Sequence, residues 1–194
     1  ELSNAFVEIV GKLHLSEDKE LLKFSTSSLE KQLWQVPFQR PVGGIVRNGF
    51  GTTQRFLLEG TEAGTYQHTG MDLAATLRNS VFSANDGYVK YAGYFGTYGN
   101  TVIIDHGFGL LSFYGHLSSI SVKVDTMVQK GVELGRTGSS GLAEGDHLHF
   151  EMRLQGVPVD PIEWFDTRWI NDHIIAKRHQ MLGQASAQPE EEIE

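Results

Sequence analysis

Thr101-Val102-Ile103-Ile104-Asp105 and, four residues further on, Leu110-Leu111-Ser112-Phe113-Tyr114 set the fold class of this chain. Both runs are short and rich in β-branched and aromatic residues, and the turn between them holds Gly107 and Gly109. Runs of this kind bounded by glycine read as strands joined by a tight connection. Tyr88-Val89-Lys90-Tyr91 has the same texture, which begins after Pro37, Pro41 and Gly43-Gly44 and continues to about residue 160. Most of the glycines lie in this region, and glycine supplies the positive φ angles that tight hairpins need. The sequence therefore predicts a mainly β fold, an antiparallel sheet with short turns rather than a βαβ unit, with helices at both ends.

The flanks read differently. Residues 1–40 are taken as a helical accessory segment. Phe6, Ile9, Val10 and Leu13 recur at helical spacing, and Ser16 to Glu20 gives a cap-like start to a second stretch with Leu21, Leu22, Phe24, Leu29 and Leu33. This segment is expected to pack on the main domain (residues 41–165), with a lid over the active site as the sharper alternative. It would also offer its helices to a regulatory protein partner. At the other end Asp160 is a helix cap and Pro161 a first helical residue. They predict a helix running through Trp169 and Ile170 toward Met181, with residues 166–182 as a C-terminal helix. Residues 183–194 are small, polar and acidic, and are expected to be disordered.

Composition narrows the function. The 194 residues are 40% hydrophobic and 21% charged, which suits a protein with a real core. Sixteen Lys and Arg against twenty-four Asp and Glu give a net charge of −8, part of it in Glu190, Glu191, Glu192 and Glu194. That balance argues against nucleic acid, which needs a basic footprint. There is no cysteine, so disulfides, thiolate catalysis and Cys-type metal sites are excluded. No apolar run of about 18 residues exists, so no transmembrane segment is expected. The chain begins with Glu1 and is read as a mature or excised form without its targeting segment.

Three of the eight histidine contexts carry chemistry. His68-Thr69-Gly70-Met71-Asp72 places a His and an Asp where a loop runs into a strand; alone, the pair also suits a surface salt bridge. Asp146-His147-Leu148-His149-Phe150 has two imidazoles on alternate residues. In a strand they share one face, about 7 Å apart, while Leu148 and Phe150 point into a core. Two exposed histidines on a half-solvated strand is the plain alternative. His116 ends a strongly β stretch just after Gly115, where an ordinary turn histidine is the default. Taken together, two imidazoles and a carboxylate are a normal ligand set for catalytic zinc with a fourth position for water. Further histidines remain for proton transfer and oxyanion stabilisation. No GxSxG, GxGxxG or GxxxxGK[ST] pattern competes with metal-assisted hydrolysis.

The matching stretches are His68 to Ala75, Val81 to Gly87, Tyr98 to Gly107, Tyr114-Gly115-His116-Leu117-Ser118, His147 to Glu151, and Val159-Asp160-Pro161. In this order, over roughly residues 43–162, the chain resembles the LytM/lysostaphin-type zinc metallopeptidases, peptidase family M23. The resemblance implies zinc (Zn2+) held by His68, Asp72 and His149, with His116 and His147 as the catalytic pair. It implies an antiparallel sheet lining a groove, and peptidoglycan peptide stems as the substrate in a periplasm or cell envelope. The expected activity is a DD-endopeptidase on D-Ala–meso-diaminopimelate bonds. Alternatives are a glycyl-glycine endopeptidase and a non-catalytic LytM-type domain that binds and activates a cell-wall amidase. A further alternative is a latent enzyme that residues 1–40 block.

The chain departs from the family pattern before His147, where Asp146 stands in place of a common proline and is expected to reshape the loop or bond an imidazole. Tyr66 is a candidate substrate-stabilising tyrosine by proximity alone. His106 is assigned a structural role, and His14, His173 and His179 are read as ordinary surface residues.

Overall fold

The computed structural model describes residues 2–58 and 60–185. A helix, α1 (Leu2–Thr26), comes first. Strands β1 (Ile45–Asn48), β2 (Thr53–Leu58), β3 (Thr61–Gln67), β4 (Met71–Ala74), β5 (Ser80–Phe82) and β6 (Gly87–Tyr94) follow. Then come β7 (Asn100–Asp105), β8 (Leu110–Leu117), β9 (Ser119–Ile120), β10 (Met127–Val128), β11 (Glu133–Arg136), β12 (Leu148–Leu154) and β13 (Val157–Val159). The main sheet runs β1-β4-β12-β8-β7-β6-β10, with β13 beside β12. A small sheet, β5-β11-β9, and the hairpin β2-β3 complete the β structure. Neighbouring strands pair antiparallel, and the fold is mainly β as the glycine-punctuated runs predict. No described helix is long and apolar enough to cross a membrane.

The central strands are covered on both faces. Val102, Ile104, Tyr114, Leu148 and Phe150 join one core with Trp34, Phe38 and Trp164. Ile103, Leu111 and Phe113 join a second with Leu21, Phe95 and Tyr98. A strand buried on both sides reads as a continuous apolar run rather than an alternating one, which explains Val102-Ile103-Ile104 and Leu110-Leu111. Each such side chain stabilises the fold by about 1.5–3 kcal/mol.

The N-terminal segment is one helix, not two, and it stops at Thr26. Ser16 does not cap a new start; its hydroxyl donates back to the Leu13 carbonyl. Residues 27–40 are not helical, so Leu29 and Leu33 are not helix positions. The buried Asp105 carboxylate draws the chain away by accepting from Ser28 Oγ (2.6 Å) and Leu29 N (3.1 Å). Leu33 N then donates to the His106 carbonyl, and Trp34 and Phe38 enter the core.

At the far end Asp160 caps α2 (Pro161–Trp164) as expected, its carboxylate accepting from Ile162 N. That helix does not continue. Asp166 accepts from Arg168 N and Trp169 N, and this local capping starts α3 (Thr167–Ile170) afresh. A π-helical turn, Asn171–Ile175, leads into α4 (Ala176–Ala185). The tail expected to be disordered from residue 183 starts later than that, because α4 continues through Gly183 and Gln184 to Ala185; its remainder, from residue 186 on, lies outside the described residues.

Candidate metal centre

The site forms where β12 lies between β4 and β8. Antiparallel register sets His149 directly opposite Asp72 on one side and Gly115 on the other. His68 precedes β4, and the chain reaches Asp72 through Gly70. A Cβ there would meet the Phe150 carbonyl at 2.4 Å, so the loop packs against β12 only because this residue is glycine.

His68 Nε2, Asp72 Oδ1 and His149 Nδ1 make a near-equilateral triangle with sides of 3.0, 3.0 and 3.1 Å. All three side chains are buried. His68 Nδ1 lies 3.0 Å from the Gly49 carbonyl and His149 Nε2 lies 3.3 Å from Glu151 Oε2. A proton kept on each outer nitrogen leaves the inner lone pairs facing each other beside a carboxylate oxygen. That arrangement is repulsive unless a metal ion, or second ring protons donated to Asp72, supplies positive charge among the three atoms. Burial alone would raise the Asp72 carboxyl, but hydrogen bonds from His149 and His68 outweigh it and hold it well below the usual range. Burial alone would lower the His149 imidazole, but hydrogen bonds to Asp72 and Glu151 push it up to about 9. Both shifts describe a cluster that demands positive charge. A divalent ion bonded at about 2.0–2.1 Å needs donor atoms only slightly farther apart than these, so the residues present fit one.

Glu151 anchors the far side of His149. It is fully buried, accepts from Thr69 Oγ1 (3.1 Å) and Tyr98 Oη (3.4 Å), and pairs with Arg153 Nε. Burial would raise its carboxyl, and the adjacent Arg153 and His149 pull it down instead. Arg153 Nη2 lies 2.9 Å from Asp18 Oδ1 of α1, an ion pair whose approach is not aligned for a hydrogen bond.

His116 and His147 stand beside the triangle, their ring centroids 4.8 Å apart. His116 is aimed there by a bulge in β8. Asn100 faces Leu117 while Val102 faces Tyr114, so β8 carries one extra residue, and His116 has φ of 59°. Such bulges re-aim side chains beside active sites, and a left-handed histidine marks local strain. Its Nδ1–H donates to the Ser140 carbonyl (2.8 Å), and that of His147 to the Gly145 carbonyl (2.8 Å). Both Nε2 atoms are left for chemistry, that of His147 3.7 Å from Asp72 Oδ1. Burial, with the neighbouring His149 and His147, pushes the His116 imidazole down to about 3, so it is neutral near pH 7.

All five sequence-derived site residues line one groove. Asp146 bonds no imidazole; its carboxylate accepts from Thr137 Oγ1 and Arg78 N, fixing the loop. Tyr66 lines the groove with its hydroxyl on Thr69. His106 is structural, buried between the Asp86 carbonyl and Ser112 Oγ, and His173 and His179 are exposed. His14 is a correction: it is not an ordinary surface residue but lines the groove, stacked on Tyr66 at 4.7 Å and held by Glu17. Sequence reasoning also missed Glu151 and Arg153, although the alternation that paired His147 with His149 extends to both. It missed Asn48, whose Nδ2 donates to Asp72 Oδ2 at 2.8 Å.

Fold and donor set define the class: an antiparallel β-groove domain of the metallopeptidase type. The sequence profile of peptidase family M23 matches residues 66–161, and the chain belongs to that family. It is 41% identical over 95 residues to the DD-carboxypeptidase/endopeptidase Mpg of Neisseria meningitidis serogroup B, covering 49% of this chain and 22% of that protein. It is 35% identical over 96 residues to the peptidoglycan DD-endopeptidase ShyA of Vibrio cholerae, covering 50% and 22%. The matched stretch is thus under a quarter of either relative. A zinc-containing peptidase structure from Vibrio cholerae superposes with a TM-score of 0.56 at 30% identity, covering 64% of this chain and 39% of that one.

Proposed function

We propose that this chain is a zinc-dependent endopeptidase that hydrolyses D-Ala–meso-diaminopimelate cross-links of peptidoglycan in the periplasm. The observation that carries this reading is the buried triangle of two imidazole nitrogens and a carboxylate oxygen with two further imidazoles beside it. The DD-endopeptidase names of two relatives support the choice of bond. His68, Asp72 and His149 hold the ion. Zinc in such a site supplies a Lewis acid and a water acidified toward a pKa of about 7. His116 and His147 do the proton work through Nε2. One, neutral, would accept the proton of the attacking water; the other, carrying protons on both nitrogens, would donate from Nε2 to the developing oxyanion and pass that proton to the leaving amine, the proton taken up by the first closing the balance. Glu151 and Asn48 keep His149 and Asp72 in place.

Digestion of purified diaminopimelate-type sacculi, with and without chelator, read by mass spectrometry, tests this. Chelator-sensitive release of fragments opened at D-Ala–diaminopimelate is expected. Release only when an amidase is added would identify an activator instead. The latent-enzyme alternative has little support, since residues 1–40 supply Leu21, Trp34 and Phe38 to the cores. Trimming them removes core rather than a plug.

A further inference from the structure

Across the first pairing of the main sheet, Val46 faces Leu73, but the next pair is Asn48 with Asp72. Arg47 is the extra residue of a bulge. In a regular strand Arg47 and Asn48 would point to opposite faces; here both line the groove. Asn48 spends its amide on Asp72. Arg47 is exposed, and among the described residues its guanidinium has no ion-pair or hydrogen-bond partner. In the groove two arginines, Arg47 and Arg55, stand against two acids, Asp72 and Glu144, whereas the whole chain carries a net charge of −8. Arg55 already leans on Glu62 at 3.8 Å, which leaves Arg47 as the uncommitted cation, one residue from the group that touches Asp72.

We infer that Arg47 is a specificity-determining residue that binds a carboxylate on the carbon bearing the leaving nitrogen of the scissile amide. The inference rests on the hydrolase reading and adds the selectivity of its site. A planar guanidinium matches a carboxylate with two parallel hydrogen bonds. In a D-Ala–meso-diaminopimelate cross-link, the nitrogen lost on hydrolysis sits on a carbon that carries a free carboxylate. The D-Ala–D-Ala end of an uncross-linked stem has the same feature. A cross-link through the ε-amine of lysine lacks it, as does the bond inside a glycine bridge. In either accepted substrate water adds across the amide, OH to the acyl fragment and H to the amine. Arg47 thus selects both carboxylate-bearing substrates through one contact.

The test uses two cross-linked muropeptides that differ only at the diaminopimelate carboxyl beside the cross-link, free in one and a carboxamide in the other. The zinc-loaded full chain should favour the free acid in kcat/KM by about tenfold or more. Arg47→Gln should bring the ratio near one by slowing the free acid alone, and Arg47→Lys should keep part of the preference. A wild-type ratio near one overturns the inference. So does a preference that survives in Arg47→Gln, which would assign it to the metal or to Arg55. If the wild type cleaves neither substrate, the hydrolase reading fails, and the same pair is compared by calorimetric binding. A carboxylate preference lost in Arg47→Gln then upholds the role of Arg47, and equal affinities overturn it.

Discussion

Along β12 and the residue before it, His147, His149, Glu151 and Arg153 recur on alternate residues and build the charged, largely buried side of the site. Along α1, His14, Glu17, Asp18 and Leu21 recur at helical spacing and build its other support. His14 stacks on Tyr66, Glu17 accepts from Thr97 N and Oγ1, Asp18 meets Arg153, and Leu21 enters a core. The two rows touch at Arg153 and Asp18. They differ in what holds them. Arg153 is 2% exposed and Glu151 fully buried, so each charge there depends on its neighbour. Asp18 is more than half exposed, and α1 is held chiefly by the Glu17 bonds and Leu21. Gly96 shows how close that docking is: at φ of 47°, a Cβ there would lie 2.0 Å from Glu17 Oε1.

Substitutions on the two rows should separate accordingly. The largest effects belong to the site itself. Asp72→Ala and His149→Ala should lose stoichiometric zinc by metal analysis after dialysis, since an open three-ligand site has none to spare. His116→Ala and His147→Ala should keep zinc while cleavage falls on the order of 10²-fold or more. Zinc retained in His149→Ala would refute the ligand assignment. Next is Glu151→Gln, which removes the partner of two buried groups. Zinc affinity should drop about 10–100-fold, and chemical denaturation should show about 3 kcal/mol lost because the buried Arg153 keeps only the exposed Asp18 as counter-charge; unchanged values for both would make Glu151 a bystander.

His106 belongs to neither row and provides a reference. Burial pushes its imidazole down to about 4, so it folds neutral while the unfolded chain protonates near 6.5. The stability it confers is complete above pH 6.5 and is lost as pH falls toward 4, on the order of 3 kcal/mol. His106→Gln should flatten that acid limb in urea melts at stepped pH. Smallest is Glu17→Ala on the helix row. It should cost about 1–3 kcal/mol for the unpaired Thr97 donors, and hydrogen exchange should rise in α1 while zinc stoichiometry stays intact. Loss of zinc in this variant would mean that the helix row shapes the cluster directly.

The strand row was the legible one. Alternation of His147, Leu148, His149 and Phe150 is a period-2 pattern in which polar and apolar faces separate cleanly, and both core strands were evident from their composition. The helix row hides from an apolar search because three of its four inward positions are polar. Ser16 and the acids around it therefore resembled a cap instead of a docking face. His116 was named, but its aim depends on a bulge and a left-handed φ, which no local residue pattern specifies. Asn48 and Arg47 depend on a second bulge, and Asp166 interrupted a helix that apolar spacing carried onward.

Leu21, Trp34 and Phe38 lie upstream of the family-matched stretch yet complete both apolar faces of its sheet. A gene fusion spliced at residue 66 would leave those faces wet and yield aggregates, whatever partner was attached. Shuffled between proteins, this domain must travel with its upstream residues as cargo, and its heritable boundary lies well before His68.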